Sequence, residues 1–227
     1  MDITCLSDTH GHFPKDLLGG DLLIVAGDLT ARDLPIEHIN FYEWCREQKY
    51  RKIIIIGGNH DNFIQKLKSK YFPPTVNYSH CEYLCDSGTE FEGLRIWGSP
   101  WSLTFPGMNP KCKAFTVDTE EKLAEKFALI PDNIDILITH SPPYGILDEV
   151  KEDVWRHGWD EDLHVGSKSL AFKVGSMETP PKLWVWGHIH EAYGKDPVVR
   201  QKPCIMVNAS HVNELYQPVN KSIRVIL

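Results

Sequence analysis

The sequence predicts an α/β fold, a sheet-rich sandwich with helices on its outside. Three observations carry that prediction. Six short apolar runs rich in Val, Ile and Leu recur along the 227 residues, each of a length that suits a strand buried on both faces. Segments of helical spacing lie between several of them, and one central stretch alternates and turns as antiparallel strands do. Such mixed elements pack as sheets covered by helices, and a chain of this length is expected to form one domain, residues 1–227.

The elements follow in order. ITCL at 3–6 is the first strand, and SDTH after it brings Asp8 and His10. LLIVA at 22–26 runs into Gly27-Asp28. Leu34 to Gln48 places Ile36, Ile39, Trp44 and Cys45 at roughly helical spacing. KIIII at 52–56 leads into GGNHD, with Asn59, His60 and Asp61. Residues 82–98, EYLCDSGTEFEGLRIWG, predict short antiparallel strands with turns at Ser87-Gly88 and Glu92-Gly93. A helix over Asp118 to Leu129 rests on Leu123, Phe127 and Ala128, and DILIT at 135–139 ends in His140. A short helix over Ser167 to Val174 precedes KLWVW at 182–186, which opens into Gly187, His188 and His190. CIMVN at 204–208 is the last run, and Asn208 and Ser210 beside it are placed to buttress a site through hydrogen bonds.

The net charge of −7 argues against wrapping long nucleic acid through broad phosphate neutralisation. A small anionic substrate stays open, because local cations or metals override the global sign. The start MDITCLSDTH has no basic n-region, and no apolar run approaches the roughly 20 residues of a membrane span. A soluble, cytoplasmic protein is expected. The six cysteines, Cys5, Cys45, Cys81, Cys85, Cys112 and Cys204, form no CxxC pair and are expected to be reduced. Cys81 and Cys85 lack the second pair that a thiolate metal site would need.

Five strand ends therefore deliver ligand-type residues, and in open α/β sheets the carboxyl ends of the strands are where ligands bind. Any one of these residues has a plainer reading: Asp28 as a helix cap, Asn59 as a turn residue, Asp61 as a cap for the segment after it. Five ends doing so together point to one site. Carboxylate, imidazole and amide oxygen without thiolate suit hard or borderline divalent ions: Mn first, with Fe, Zn or Mg as alternatives. Asp8, His10, Asp28, Asn59, His140, His188 and His190 exceed what one catalytic ion takes from a protein, so two ions are expected. Two ions about 3.5 to 4 Å apart can clamp the attacking and leaving oxygens of a displacement at phosphorus. On an extended chain His188 and His190 would point the same way roughly 6 to 7 Å apart, a spacing suited to two neighbouring ions.

The ordered series Asp8-x-His10, Gly27-Asp28, Gly58-Asn59-His60-Asp61, His140 and Gly187-His188-x-His190 resembles the calcineurin-like metallophosphoesterase superfamily. GSPW at 98–101, THSPP at 139–143, GHIHEAYG at 187–194 and VNAS at 207–210 are similar to its metallophosphoesterase-domain-containing, class III cyclic-nucleotide-phosphodiesterase-like branch. Some of that branch carry glycine at the first histidine of GHxH, where this chain keeps His188. The resemblance implies a four-layer α/β/β/α sandwich of two mixed sheets flanked by helices, with a binuclear metal site at the strand C-termini. It implies one metal on Asp8, His10, Asp28 and His190, the other on Asp28, Asn59, His140 and His188, and a metal-bridging hydroxide as nucleophile. His60 would bind the phosphate and protonate the leaving oxygen, with Asp61 orienting His60. The implied activity is phosphodiester hydrolysis on small phosphodiesters or cyclic nucleotides. A phosphomonoesterase or a nuclease on the same centre is the alternative, and a metal-binding protein without catalysis is a third reading. The expected partner is a small phosphoester, a nucleotide among the candidates, with no membrane and no extended nucleic acid. The sequence assigns no oligomeric state.

Trp101, after the Gly-Ser-Pro loop, is a candidate wall on which a nucleobase stacks, with a core anchor as the other reading. His12 could line the pocket or sit on an exposed loop. His38, His80, His157, His164 and His211 match no motif position. Lys66, Lys68 and Lys70 read as a solvated helix face, with a handle for oligonucleotide phosphates as the alternative.

Overall fold

A computed structural model describes residues 1–66, 81–105, 107–151, 163–196 and 203–227. Lys68 and Lys70, His80 and His157 lie outside the described residues. The chain begins with β1 (Asp2–Leu6), β2 (Gly20–Ala26), α1 (Pro35–Glu47), β3 (Tyr50–Ile56), α2 (Asn62–Lys66) and β4 (Cys81–Tyr83). It continues through β5 (Ser87–Phe91), β6 (Leu94–Ser99), β7 (Ser102–Leu103), β8 (Thr116–Val117), α3 (Glu120–Phe127) and β9 (Ile136–Thr139). The last elements are α4 (Lys168–Gly175), β10 (Leu183–Trp186), β11 (Gly194–Asp196), β12 (Ile205–Asn208) and β13 (Ile223–Ile226). All six apolar runs are strands.

They divide between two mixed sheets, ordered β13-β1-β2-β3-β4 and β11-β12-β10-β9-β6-β5, with β7 and β8 paired apart. The strands that lead to candidate ligands run parallel within each sheet, so their carboxyl ends share one edge. Period-two side chains explain the layers. Ile3, Ile24, Ile54 and Ile56 from one sheet meet Ile136, Ile138, Val185 and Val207 from the other. The alternate residues Leu23, Val25, Ile53 and Ile55 pack under Phe41, Tyr42 and Trp44 of α1. On the far side Leu137, Trp184 and Met206 pack under Leu123 and Phe127 of α3 and Leu170 of α4. The order helix, sheet, sheet, helix is the four-layer sandwich that the resemblance implies.

The helices begin where capping chemistry puts them. Thr119 accepts the Lys122 N–H ahead of α3, and Ser167 accepts the Leu170 N–H ahead of α4. Pro35 stands at the first turn of α1, where its missing donor costs nothing. The hairpin joining β5 and β6 turns at Glu92-Gly93, both at positive φ. Ser87-Gly88, expected as a turn, is instead strand in β5. Gly88 pairs with Trp97, and a Cβ there would lie 3.2 Å from that indole, so the close approach explains the glycine. All six cysteines are free, and among the described residues no helix is long and apolar enough to cross a membrane.

The edge that carries the strand ends is also where the two sheets join. The N–H of Ser7, just past β1, donates to Ala209 O (2.9 Å), and the Ser7 carbonyl accepts the His211 N–H (2.8 Å). Backbone bonds thus stitch residue 7 to the end of β12. Replacing Ile138, buried between the sheets, with Ala should cost about 2 to 5 kcal/mol in chemical denaturation, against roughly 0.5 kcal/mol or less for Ala at the exposed Ile36 of α1.

Candidate metal centre

Two buried carboxylates form the middle of this edge. Asp8 is 0 % and Asp28 2 % exposed, each two residues past its strand. Asp8, His10, Asp28 and His188 all have left-handed backbones, with φ of 48°, 42°, 51° and 70°. Left-handed non-glycine residues are uncommon, although Asp and His tolerate that region better than most, and such strain clusters at functional sites. Here it turns the chain sharply after β1, β2 and β10, so that their side chains converge with those that follow β3 and β9.

Two glycines make room. A Cβ on Gly187 would overlap Asp8 Oδ2 and Ser7 Oγ, and one on Gly58 would overlap Asp28 Oδ1. The backbones can then donate directly. His188 N–H points at both Asp8 oxygens (3.1 and 3.0 Å), and His60 N–H donates to Asp28 Oδ1 (2.9 Å). Ser210 Oγ lies within hydrogen-bond distance of Asp8 Oδ2 (3.0 Å) and Asn208 Oδ1 (2.8 Å), either of which can accept its one hydrogen, so the buttress expected of Asn208 and Ser210 is present.

The imidazoles surround the carboxylates in two sets. In the first, His190 Nε2 lies 3.4 Å from Asp8 Oδ1 and 3.4 Å from His10 Nε2, and His10 Nε2 lies 3.7 Å from Asp28 Oδ2. In the second, His140 Nε2 lies 3.4 Å from Asp28 Oδ1 and 3.0 Å from Asn59 Oδ1, and its ring meets His188 edge-on at 4.9 Å. Asp28 stands between the sets. Carbonyls orient two of the rings: His140 Nδ1 donates to Ala26 O (2.9 Å) and His190 Nδ1 to Asn213 O (3.1 Å), which leaves each Nε2 turned inward.

The donors fit divalent cations. Ligands on one ion with bonds of about 2.1 Å lie roughly 3 to 3.5 Å apart, close to these separations. Asp8, His10 and His190 keep one donor atom each within 4.8 Å of one another, and so do Asp8, Asp28 and His140. His10 Nδ1 is buried with no hydrogen-bond partner among the described residues. Protonation shows the same demand for positive charge. Burial opposes ionisation of Asp28, yet the charges of His140 and His60 hold its carboxyl well below the usual range. Burial likewise opposes a charged His140, but Asp28 outweighs it and lifts the imidazole to about 9. His10 and His188, dominated by burial, fall to about 3.

Three expectations are corrected. Asp61 does not hold the His60 ring: its oxygens accept the backbone N–H groups of Gly58 (2.8 Å) and Leu29 (3.2 Å), closing the loop beneath Asp28. His60 Nδ1 instead faces the Cys112 thiol at 3.5 Å. Trp101 does not stand at the site; its indole N–H donates to Asp86 (2.6 Å), its ring meets Phe115 edge-on, and Lys126 lies over its face at 3.9 Å. Nor are His188 and His190 separated by a strand pleat. The strand ends at Trp186, and a left-handed turn at His188 sends the two rings to different sets.

A cavity of about 400 Å³ opens over the centre. Asp28, Asn59, His60, His188 and His190 form its floor, and Leu103, Phe105, Val150, Val165, Ile189 and Tyr216 are among its walls. Tyr216 and Cys112 match no motif, and only their loops' folding brings them here. His12 is exposed, His38 is buried against Asp33, His164 pairs with Asp148, and His211 bonds Asn220 O.

Comparison with known proteins bears on the family and the fold. A family model described as calcineurin-like phosphoesterase matches residues 1–192. Metallophosphoesterase domain-containing protein 1 of Homo sapiens is 38 % identical over 240 residues, covering 96 % of this chain and 68 % of that protein. UPF0046 protein T07D4.2 of Caenorhabditis elegans is 33 % identical, covering 90 % of this chain and 55 % of its own length. Among solved structures, TT1561 of Thermus thermophilus shares the fold at a TM-score of 0.56 and 14 % identity, with 91 % of this chain and 88 % of that one covered.

Gly187→Ala should push Asp8 out of place and lower divalent-metal affinity at least about tenfold in a calorimetric titration, with far-ultraviolet circular dichroism unchanged. An unaltered affinity would show that the close approach at Gly187 does not set the centre.

Proposed function

We propose that this chain, which belongs to the calcineurin-like phosphoesterase family, is a single-domain (1–227) phosphodiesterase that hydrolyses small phosphodiesters, cyclic nucleotides among them. The family makes it a metal-dependent phosphoesterase. The observation that carries the binuclear reading is Asp28, one buried carboxylate between His10 on one side and His140 on the other, at 3.7 and 3.4 Å. Asp8, His10, Asp28 and His190 would hold one ion, and Asp28, Asn59, His140 and His188 the second, with Mn named first on the mixed carboxylate and imidazole donors. When bound, two such ions supply Lewis acidity and lower the pKa of bound water.

The chain's own groups do the rest. His60 lines the cavity with Nε2 3.9 Å from Asp28 Oδ2, while the Cys112 thiol occupies the other side of its ring. His60 then hydrogen-bonds the phosphoryl oxygens and delivers a proton to the leaving oxygen. Asp61 serves that step by holding the loop that carries Asn59 and His60. The diester preference rests on the cavity walls: Glu191 and Glu214 stand among apolar residues, Glu214 with its charge partly met by Lys151 at 2.7 Å, and carboxylates repel a doubly charged monoester more than a singly charged diester.

Protein stripped with chelator and reconstituted with Mn should hydrolyse bis(4-nitrophenyl) phosphate faster than 4-nitrophenyl phosphate. The opposite order would favour a phosphomonoesterase, and no turnover of either with Mn, Fe, Zn or Mg would reject the enzyme. Asp28→Ala should lower the metal content from two ions per chain to one or none by elemental analysis. His60→Ala should keep both ions and lower kcat about 10²- to 10⁴-fold; an unchanged kcat would remove His60 from the proton transfer.

A further inference from the structure

Tyr216 stands at the tip of a tight turn that one side chain builds. Asn213 Oδ1 accepts the N–H groups of Leu215 (3.0 Å) and Gln217 (2.9 Å), and its Nδ2 donates to Gln217 Oε1 (3.2 Å). The Asn213 N–H donates to Gln217 O (2.9 Å), and the Tyr216 N–H to Asn213 O (2.8 Å). These bonds hold Tyr216 in a left-handed backbone, φ 59°, which a bulky residue avoids without such support. The result is a large ring over the metal centre, edge-on to His10 at 4.8 Å and His190 at 5.3 Å, and tilted toward His60 at 6.2 Å.

That ring is not a core residue. It is 48 % exposed and forms a wall of the cavity, with Leu103, Phe105, Val150, Val165 and Ile189 as further apolar walls. The turn also carries the carbonyl that orients His190, so the ring is held in fixed relation to the floor on which a phosphoryl group would sit. An aromatic ring beside such a floor, in a cavity that apolar side chains also line, gains by covering a flat hydrophobic group and gains little from a small or strongly hydrated one.

We infer that Tyr216 and the other apolar walls of the cavity form a subsite for a planar aromatic substituent of the phosphoester, an aryl group or a nucleobase, and so set the site's preference over aliphatic esters. The stacking wall that the Gly-Ser-Pro loop suggested for Trp101 is thereby supplied from the turn after β12. This inference rests on the phosphoester reading of the centre, but its test needs no hydrolysis.

The test compares phenylphosphonate with methylphosphonate on the Mn-loaded protein by isothermal titration calorimetry. Both carry the same phosphorus group and differ in the substituent. The wild-type protein should bind phenylphosphonate about tenfold tighter, the order of one stacking contact. Tyr216→Phe should keep that ratio, and Tyr216→Ala should bring it close to one by weakening phenylphosphonate far more than methylphosphonate. No preference or no binding in the wild-type protein, an intact preference in Tyr216→Ala, or an equal loss on both ligands would overturn the inference. A wild-type protein with the preference that cleaved no diester would sink the phosphodiesterase reading and leave the aryl subsite standing. Diester cleavage without the preference would do the reverse.

Discussion

The organising constraint is the removal of two carboxylates from water. Asp8 and Asp28 follow adjacent parallel strands and end up almost wholly buried, and an isolated charge in such a place costs several kcal/mol. What surrounds them acts against that cost. Backbone N–H groups from the His188 and His60 turns reach them, the Ser210 hydroxyl lies 3.0 Å from Asp8, and imidazoles stand at 3.4 to 3.9 Å. The glycines at 58 and 187 exist in this geometry because the donating backbones must come closer than a side chain permits. On the proposed reading, cations would complete the same balance, and the phosphoester site and the buried charge cluster would coincide for that reason.

The strands that build the site were legible because both faces of each are buried. Such a strand has nowhere to put a polar side chain until it ends, so KIIII or LLIVA reads as an unbroken apolar run and the first polar residues mark the edge. The chemistry of those ends was legible for the same reason. Side-chain direction within the loops was not. Nothing in GGNHD says that Asp61 turns back to the Gly58 and Leu29 amides rather than toward His60, because the loop has no period to constrain it. Trp101 follows a loop that could have faced the cavity, but Asp86, Phe115 and Lys126 between them satisfy its polar tip and both kinds of ring surface. Cys112 and Tyr216 reach the site by long-range folding alone, 52 residues from His60 in the first case, and carry no local mark.

The backbone strain has a distribution that fits this division. Among the described residues, half of the left-handed non-glycine positions belong to the site, at Asp8, His10, Asp28, His188 and Tyr216, and the others, Asp33, Asp86, Glu92, Phe115 and Leu147, lie outside it. Regular strand would have sent successive side chains to opposite faces and so could not have gathered them. A sharp turn after β1, β2 and β10 is the local condition for convergence, and it explains why two histidines two positions apart face different sets. Rigid parallel strands fix where the turns begin, and the turns choose what each side chain faces.

The seam between residue 7 and residues 209 and 211 has a kinetic meaning. It joins parts of the chain some two hundred positions apart, and contacts of such separation form late because the intervening chain must first be ordered. A nascent or partly folded chain can own every strand-end residue from Asp8 to His140 and still lack the closed pocket. Closing the pocket therefore depends on the end of β12 as much as on the strand ends from Asp8 to His140.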